Sequence, residues 1–317
     1  MNGARVTSWD KPPLAVFLPE PPSPSPTQLQ LKVLATSVTR VVRSRASGKH
    51  ATSFDAAFPY DPSVDGVGMD AATGDLYFIT QLAAQLFAEC TNVEKRHLVK
   101  LDPGTDPVKV AALAHPVSCS WMTLRCRVFG GCQGRTVVII GATSASGRAA
   151  ALVARSMGAA RIVGLSRNEA TLATVEGLDD RVVLQEPFAL PPSVGPVHVI
   201  LDYVGHGPAA VGILQSARCE YGENVQYVQV GNIAQRGPHL FQLLPMALIN
   251  QRPICILGTG TGCFTAEDWR TELPEIMKMI SRMETPFPVF TAPLSQVASV
   301  WECEDALTKR LVLIPNA

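Results

Sequence analysis

The stretch Thr136-Val137-Val138-Ile139-Ile140-Gly141-Ala142-Thr143-Ser144-Ala145-Ser146-Gly147-Arg148 decides the fold of this chain. Its apolar run, Val137 to Ile140, is typical of a parallel strand that is covered on both faces. The small residues that follow let the backbone approach a pyrophosphate at the start of a helix predicted over Arg148 to Met157. A second strand, Arg161 to Leu165, completes one βαβ unit. The sequence therefore predicts a dinucleotide-binding turn formed by Gly141, Thr143, Ser144, Ala145, Ser146 and Gly147.

Two positions in this unit depart from the strictest dinucleotide fingerprint. Ser144 stands where that fingerprint has glycine, so a close backbone approach there must tolerate a Cβ atom. The second strand ends in Ser166 and Arg167 and lacks the acidic residue that binds both ribose hydroxyls of NAD. A guanidinium suits a 2′-phosphate, and the alternative is that Arg167 is a solvated surface arginine. We therefore predict NADPH rather than NADH as the cofactor.

Composition describes a globular protein whose partners are small molecules. The chain has 317 residues, of which 47% are hydrophobic and 17% charged, enough for two domains with large cores. Its 27 basic and 27 acidic residues balance, so no charge pattern favours nucleic acid or an anionic membrane. No apolar run approaches the roughly 20 residues of a membrane span, and the proline-rich start has no signal-like apolar region. We predict a cytoplasmic protein with reduced cysteines.

The predicted pattern of secondary structure changes at about residue 106. Before it, short alternating segments such as Gln28 to Leu34 predict a β-rich barrel, with the proline-rich segment before them as an extended connector. After it, helices predicted over Val108 to Ala114 and Trp121 to Phe129 precede apolar strands that alternate with helices. The predicted fold class is α/β, a doubly wound parallel (Rossmann) sheet plus a β-rich barrel domain. A helix predicted over Ala266 to Met283 leads into a tail that returns to the first domain.

Four further segments carry a resemblance to a known family. They are, in chain order, Pro59 to Gly68 with its D-G-V-G turn, His115 to Leu124, Leu201 to Gly205 and Val228 to Asn232. Together with the dinucleotide turn they make the chain similar, along nearly its whole length, to the zinc-free quinone-oxidoreductase branch of the medium-chain dehydrogenase/reductase superfamily. The resemblance implies a GroES-like substrate domain over 1–107, an NADP-binding Rossmann domain over 108–265 and a return segment over 266–317.

The same resemblance argues against a metal site. Members of the superfamily that use catalytic zinc carry a His-Glu pair where this chain has Val64 and Asp65, and valine has no lone pair to offer a metal. The structural-zinc cysteine cluster of those members has no counterpart here. The six histidines are isolated in the sequence. We therefore predict that no metal is bound.

The resemblance also implies which residues line the active site. Relatives place an asparagine and a tyrosine near the substrate carbonyl, on the loop after the second strand, where this chain has Thr39 and Ser44. They place a threonine or serine beside the nicotinamide where this chain has Cys119. Tyr203 follows a predicted central strand, where ligands bind in such sheets. The predicted catalytic residues are Tyr203, Thr39 and Ser44. The residues predicted to bind cofactor, besides the turn, are Cys119, Ser166, Arg167, Tyr203, Gly231 and Ile233. Tyr203 could instead be a buried ring with a tied hydroxyl, and Cys119 a packing residue.

These observations predict an NADPH-dependent reductase that transfers hydride to an enone or quinone without a metal. Two alternatives to this function stay open, because Thr39, Ser44 and Val64 leave few polar groups in the predicted active site. One is an isomerase or cyclase that acts on a bulky apolar metabolite, and the other is a non-catalytic NADPH-binding protein. A homodimer is left open as well.

Overall fold

The computed structural model describes residues 1–232 and 237–317, apart from the side chain of Thr261. The strands are β1 (Asn2–Arg5), β2 (Leu14–Phe17), β3 (Gln28–Ser37), β4 (Gly66–Met69), β5 (Leu76–Ile79), β6 (Cys90–Glu94), β7 (Leu98–Lys100), β8 (Thr136–Ile140), β9 (Arg161–Ser166), β10 (Asp180–Val183), β11 (Val199–Asp202), β12 (Val225–Gln229), β13 (Ile254–Gly258), β14 (Val289–Pro293) and β15 (Arg310–Ile314). The helices are α1 (Arg40–Ala46), α2 (Pro107–Met122), α3 (Ala145–Ser156), α4 (Glu169–Ala173), α5 (Gly207–Ser216), α6 (Leu240–Leu243), α7 (Met246–Gln251), α8 (Ala266–Arg282), α9 (Val297–Val300) and α10 (Glu304–Thr308). No described helix combines the length and the apolar character needed to cross a bilayer.

The fold is α/β, and residue contacts divide it into two compact units. The first unit comprises residues 1–115 and 273–317, and the second comprises residues 116–272. This division assigns residues 108–115 to the first unit and residues 266–272 to the second, so both boundaries fall inside helices, α2 and α8.

The second unit is built on a parallel sheet with strand order β10-β9-β8-β11-β12-β13. Its central strands β8 and β11 are almost wholly buried, because helices cover both faces of a doubly wound sheet. The strand order reverses between β8 and β11, and ligands of such sheets bind at the carboxyl ends of the strands beside this reversal. The apolar side chains of β8, β9 and β11 share one core with those of α5.

The first unit contains a mixed sheet with strand order β14-β15-β3-β4-β5-β7, in which β6 also pairs with β3. The long strand β3 pairs with β4 along one edge, where a bulge lies between Val33 and Ala35. Along its other edge it pairs first with β6 and then with β15. The last strand, β15, lies between β14 and β3, so the end of the chain belongs to the first unit. Strands β1 and β2 form a separate antiparallel pair.

Three local features differ from the sequence prediction. The two helices predicted over 108–129 are one helix, α2, which contains Pro116 and continues as a π-helical turn over Thr123–Arg127. Proline removes only one helical hydrogen bond, and the buried apolar residues on both sides of it hold the helix together. Strand β2 lies within the segment predicted as a connector. Helix α1 follows β3, where Thr39 and Ser44 were expected on a loop.

Candidate active site

The turn after β8 is shaped by two glycines. Gly141 has φ +86°, and an added Cβ would lie 2.8 Å from Cγ2 of Val204. An added Cβ on Gly147 would lie 2.2 Å from the carbonyl oxygen of Gly141, so α3 could not begin so close to β8 with any larger residue there. The first turn of α3, as in any α-helix, has backbone N–H groups without an intrahelical acceptor, and the close approach of strand and helix places them at the end of β8. Such a turn is suited to a pyrophosphate.

Ser144 has a defined structural role in this turn. It is the N-cap residue of α3, where its hydroxyl accepts a hydrogen bond from the Gly147 N–H at 3.0 Å and donates to the Gly141 carbonyl at 2.8 Å. The side chain that departs from the glycine fingerprint therefore closes the turn on itself and stabilises the start of the helix. Thr143, Ala145 and Ser146 are partly exposed beside it.

The end of β9 meets the same turn through a pair of hydroxyl groups. Thr143 Oγ1 and Ser166 Oγ lie 2.9 Å apart, which joins the first and second strand ends of the βαβ unit. Arg167 is exposed and, within the described residues, makes no hydrogen bond or ion pair. Arg148 differs because its guanidinium donates to the Thr174 hydroxyl at 2.8 Å and the Thr174 carbonyl at 3.1 Å. Arg167 is thus an available cation beside the turn.

A buried polar network that the sequence analysis missed lies at the ends of β11 and β12. The Asp202 carboxylate accepts hydrogen bonds from the N–H groups of Val204 at 2.7 Å and Gly205 at 3.0 Å, and from the Tyr227 hydroxyl at 2.5 Å. Burial raises the pKa of both Asp202 and Tyr227. This network fixes the turn that carries Tyr203. Gly231 packs against the same turn, since an added Cβ would lie 2.6 Å from the Tyr203 carbonyl oxygen.

Tyr203 is 3% exposed, and its hydroxyl lies 2.7 Å from Ser120 Oγ on α2. Ser120 in turn lies 3.1 Å from the Pro116 carbonyl oxygen and donates its hydrogen there. The Tyr203 hydroxyl is therefore the donor to Ser120, and it keeps a lone pair free to accept. Burial raises the pKa of Tyr203 well above its usual range, so the phenol stays protonated at neutral pH. Donation to a substrate oxygen would require this hydroxyl to turn away from Ser120.

Cys119 precedes Ser120 on α2 and is half-buried, and its carbonyl accepts a hydrogen bond from Thr123 Oγ1 at 2.6 Å. The last residue predicted to bind cofactor, Ile233, lies outside the described residues.

The two predicted catalytic hydroxyls of the first unit belong to α1. Thr39 is its N-cap residue, and its Oγ1 accepts a hydrogen bond from the Val42 N–H at 3.2 Å. This bond uses a lone pair of Thr39 and leaves the hydroxyl hydrogen available to an acceptor. Ser44 lies within the helix and is half-buried.

Comparisons with known proteins identify the family. No protein-family profile matches the chain. A curated relative, the probable NADPH-dependent quinone reductase tdiC of Emericella nidulans, is 45% identical over an alignment of 356 residues that covers 99% of this chain and 100% of the relative. The chain belongs to the medium-chain dehydrogenase/reductase superfamily, in its quinone-oxidoreductase-like branch.

Solved structures share the fold of this reductase-like chain. The quinone oxidoreductase of Thermus thermophilus, whose structures include a complex with NADPH, superposes with a TM-score of 0.75 at 22% identity and covers 99% of this chain and 100% of its own. A probable oxidoreductase from Mycobacterium abscessus superposes with a TM-score of 0.77 at 19% identity, covering 99% of both chains.

Val64 and Asp65 are the residues that the resemblance places where zinc-using relatives carry a His-Glu pair. Val64 and Asp65 are both buried just before β4, and both Asp65 carboxylate oxygens lack a hydrogen-bond partner among the described residues. Burial raises the pKa of Asp65 to about 7, against the opposing effect of Arg310. In the described parts of the chain, no three His, Cys, Asp or Glu side chains come together as metal ligands would. The D-G-V-G turn made Asp65 visible in the sequence, but no sequence signal predicted that its carboxyl group is buried without a hydrogen-bond partner among the described residues.

Proposed function

We propose that this protein is an NADPH-dependent, metal-independent reductase of quinones or enones. The observation that carries the proposal is the full-length, 45% identical relative whose name describes a probable NADPH-dependent quinone reductase. The fold and the dinucleotide turn are consistent with it, because the turn presents helix N–H groups beside an available guanidinium.

In this proposal the turn at Gly141 to Gly147 binds the pyrophosphate, and Ser166 with Arg167 binds the 2′-phosphate. The observations that support these roles are the Thr143–Ser166 contact of 2.9 Å and the exposure of Arg167. Cys119, Tyr203, Gly231 and Ile233 are proposed to line the nicotinamide end. Bound NADPH would supply a hydride to an electron-poor carbon.

Negative charge then develops on the substrate oxygen and needs hydrogen-bond donors in a site with little water. We propose Tyr203, Thr39 and Ser44 for this role. Tyr203 is supported by its raised pKa, which keeps its proton in place, and Thr39 by a hydroxyl hydrogen that its capping bond leaves available. Metal independence is supported by the apolar side chain of Val64.

Oxidation of NADPH in the presence of a panel of quinones and enones tests the reaction. The proposal expects NADPH consumption that matches product formed, with unchanged rates after dialysis against a chelator. Product without NADPH consumption would favour the isomerase or cyclase alternative. NADPH binding with no turnover on any compound would favour a non-catalytic protein.

Tyr203→Phe tests the proposed donor. If the hydroxyl stabilises the developing oxyanion, kcat should fall by about 100-fold while NADPH affinity stays unchanged. Tyr221→Phe, at an exposed tyrosine, is the matched control. Full activity in Tyr203→Phe together with lost activity in Thr39→Val would place the donor at Thr39 instead.

The cytoplasmic location and the homodimer stay predictions. Cell fractionation tests the location, and light scattering of the purified protein tests the assembly.

A further inference from the structure

The first unit contains a cavity of about 430 Å³, a volume typical of small-molecule sites. Its polar lining includes Arg45, Thr52, Tyr60 and Asp61, and its apolar lining includes Pro59 and Leu82. None of these residues has a role in the function proposed above. The cavity is therefore a candidate for a separate binding site.

Arg45 brings a buried positive charge to this cavity. The residue is 7% exposed, and its guanidinium donates to the Pro62 carbonyl at 3.0 Å and the Thr52 hydroxyl at 2.5 Å. It also lies over the Tyr60 ring, 5.2 Å from the ring centroid. These partners are dipoles and a π face, and no carboxylate forms an ion pair with Arg45 in the described parts of the chain. Dipoles orient a buried cation but leave its full charge in place.

The one acid in the lining does not neutralise Arg45. The Asp61 carboxylate is bound by Arg5 Nη1 at 3.2 Å and accepts further hydrogen bonds from the N–H groups of Ser63 at 2.8 Å and Phe87 at 3.1 Å. Burial raises the pKa of Asp61 against the opposing effect of Arg5, and protonation of Asp61 would only add positive charge. The buried group of Arg5, Asp61 and Arg45 therefore keeps a net charge of about +1 or more at neutral pH. His50 adds no charge there, because burial and Arg45 lower its pKa.

Two further features of the lining point to a ligand. The Tyr60 hydroxyl is buried and lacks a hydrogen-bond partner among the described residues, and a buried polar group without a partner calls for an explanation. Leu82 has φ +61°, in the left-handed region that favours glycine, and its apolar side chain is 44% exposed at the cavity. Such backbone outliers are found at ligand-binding positions.

We infer that this cavity binds a small organic anion, whose carboxylate or ionised enol oxygen lies against Arg45 and the Tyr60 hydroxyl. The apolar body of the ligand would contact Pro59 and Leu82. A carboxylate or enolate oxygen can accept from both donors at once, whereas a neutral isostere would leave the Arg45 charge uncompensated. This inference is independent of the proposed reductase function.

Calorimetric titration with benzoate and with its neutral isostere benzamide tests the inference. We expect benzoate to bind the full chain at least about tenfold more tightly than benzamide. Tyr60→Phe, which removes one hydroxyl and keeps the ring, should weaken benzoate binding about fivefold. Arg45→Gln should remove the preference for benzoate.

Arg43→Gln is the matched control. Arg43 lies on the same helix, donates to the carbonyls of Trp301 at 2.6 Å and Ala306 at 3.0 Å, and lies over an aromatic ring, but it does not line the cavity. It should therefore keep the preference for benzoate.

Equal affinities in the parent protein, or no saturable benzoate binding, would overturn the inference. So would a preference that survives in both Arg45→Gln and Tyr60→Phe, since benzoate would then be bound elsewhere. If circular dichroism shows that Arg45→Gln does not fold, the effect of Tyr60→Phe on benzoate binding tests the inference alone.

Discussion

At the scale of single residues, Arg167 determines the proposed cofactor preference. Its guanidinium is exposed next to Ser166, and a 2′-phosphate placed there would form charge-assisted hydrogen bonds. We expect Arg167→Gln to weaken NADPH binding about tenfold or more and to leave NADH binding unchanged. Fluorescence titration of both cofactors measures this. Arg155→Gln, which removes an arginine bound to Asp179 on the same unit, is the control. Equal affinity of the parent for both cofactors would contradict the assignment.

Asp65 and His115 are titratable groups of the first unit whose pKa values move in opposite directions. Burial raises the pKa of Asp65 to about 7 and lowers that of His115 to about 4. Between about pH 4 and pH 7 the folded state holds a proton on Asp65 that the unfolded chain has released. The free energy of unfolding that Asp65 contributes therefore falls as pH rises through this range. His115 has the opposite effect from about pH 4 to pH 6.5, because the folded state lacks a proton that the unfolded chain binds.

Asp65→Asn separates the two effects. Asparagine cannot ionise, so we expect the variant to gain stability relative to the parent between about pH 5 and pH 8, by a few kcal/mol at most. Urea unfolding at the two pH values measures the difference, and the exposed Asp55→Asn controls for the lost charge. A stability difference that does not change with pH would mean that Asp65 stays ionised in the folded protein.

At the scale of elements, the contact between β8 and α3 depends on Gly147. A methyl group there would lie 2.2 Å from the Gly141 carbonyl oxygen, so strand and helix would have to separate. We expect Gly147→Ala to lower the unfolding free energy by about 1–3 kcal/mol and to abolish measurable NADPH binding. Thermal unfolding and cofactor titration test both effects. Ser146→Ala, at a partly exposed position in the same turn, should change stability little. A fully stable Gly147→Ala variant would show that the turn can open.

The same elements show what could be predicted from the sequence. Strands β8 and β9 and the helix between them follow from local apolar patterns and small residues, and the structure has them in the expected order. The Tyr203–Ser120 hydrogen bond could not be predicted, since its partners are 83 residues apart and only the tertiary fold brings them together. The continuity of α2 through Pro116 was missed because burial there outweighs the local preference of proline.

At the scale of the whole molecule, the end of the chain is part of the first unit. Strand β15 pairs with β3 on one side and β14 on the other, and its Leu311, Val312 and Leu313 are fully buried. The Asn316 side chain adds hydrogen bonds to the carbonyls of Val33 at 2.7 Å and Glu89 at 2.8 Å. We therefore expect the mixed sheet to depend on β15 for its stability.

Deletion of residues 310–317 tests this dependence. Without β15, β3 and β14 lose their shared partner, and the apolar side chains that Leu311 and Leu313 contact would face water. We expect the shortened chain to aggregate or to lack cooperative unfolding, as measured by gel filtration and circular dichroism. Deletion of the exposed Ala317 alone is the control and should leave unfolding unchanged. A cooperative unfolding transition in the shortened chain would mean that the first unit folds without β15, and the mixed sheet would then not depend on the chain end.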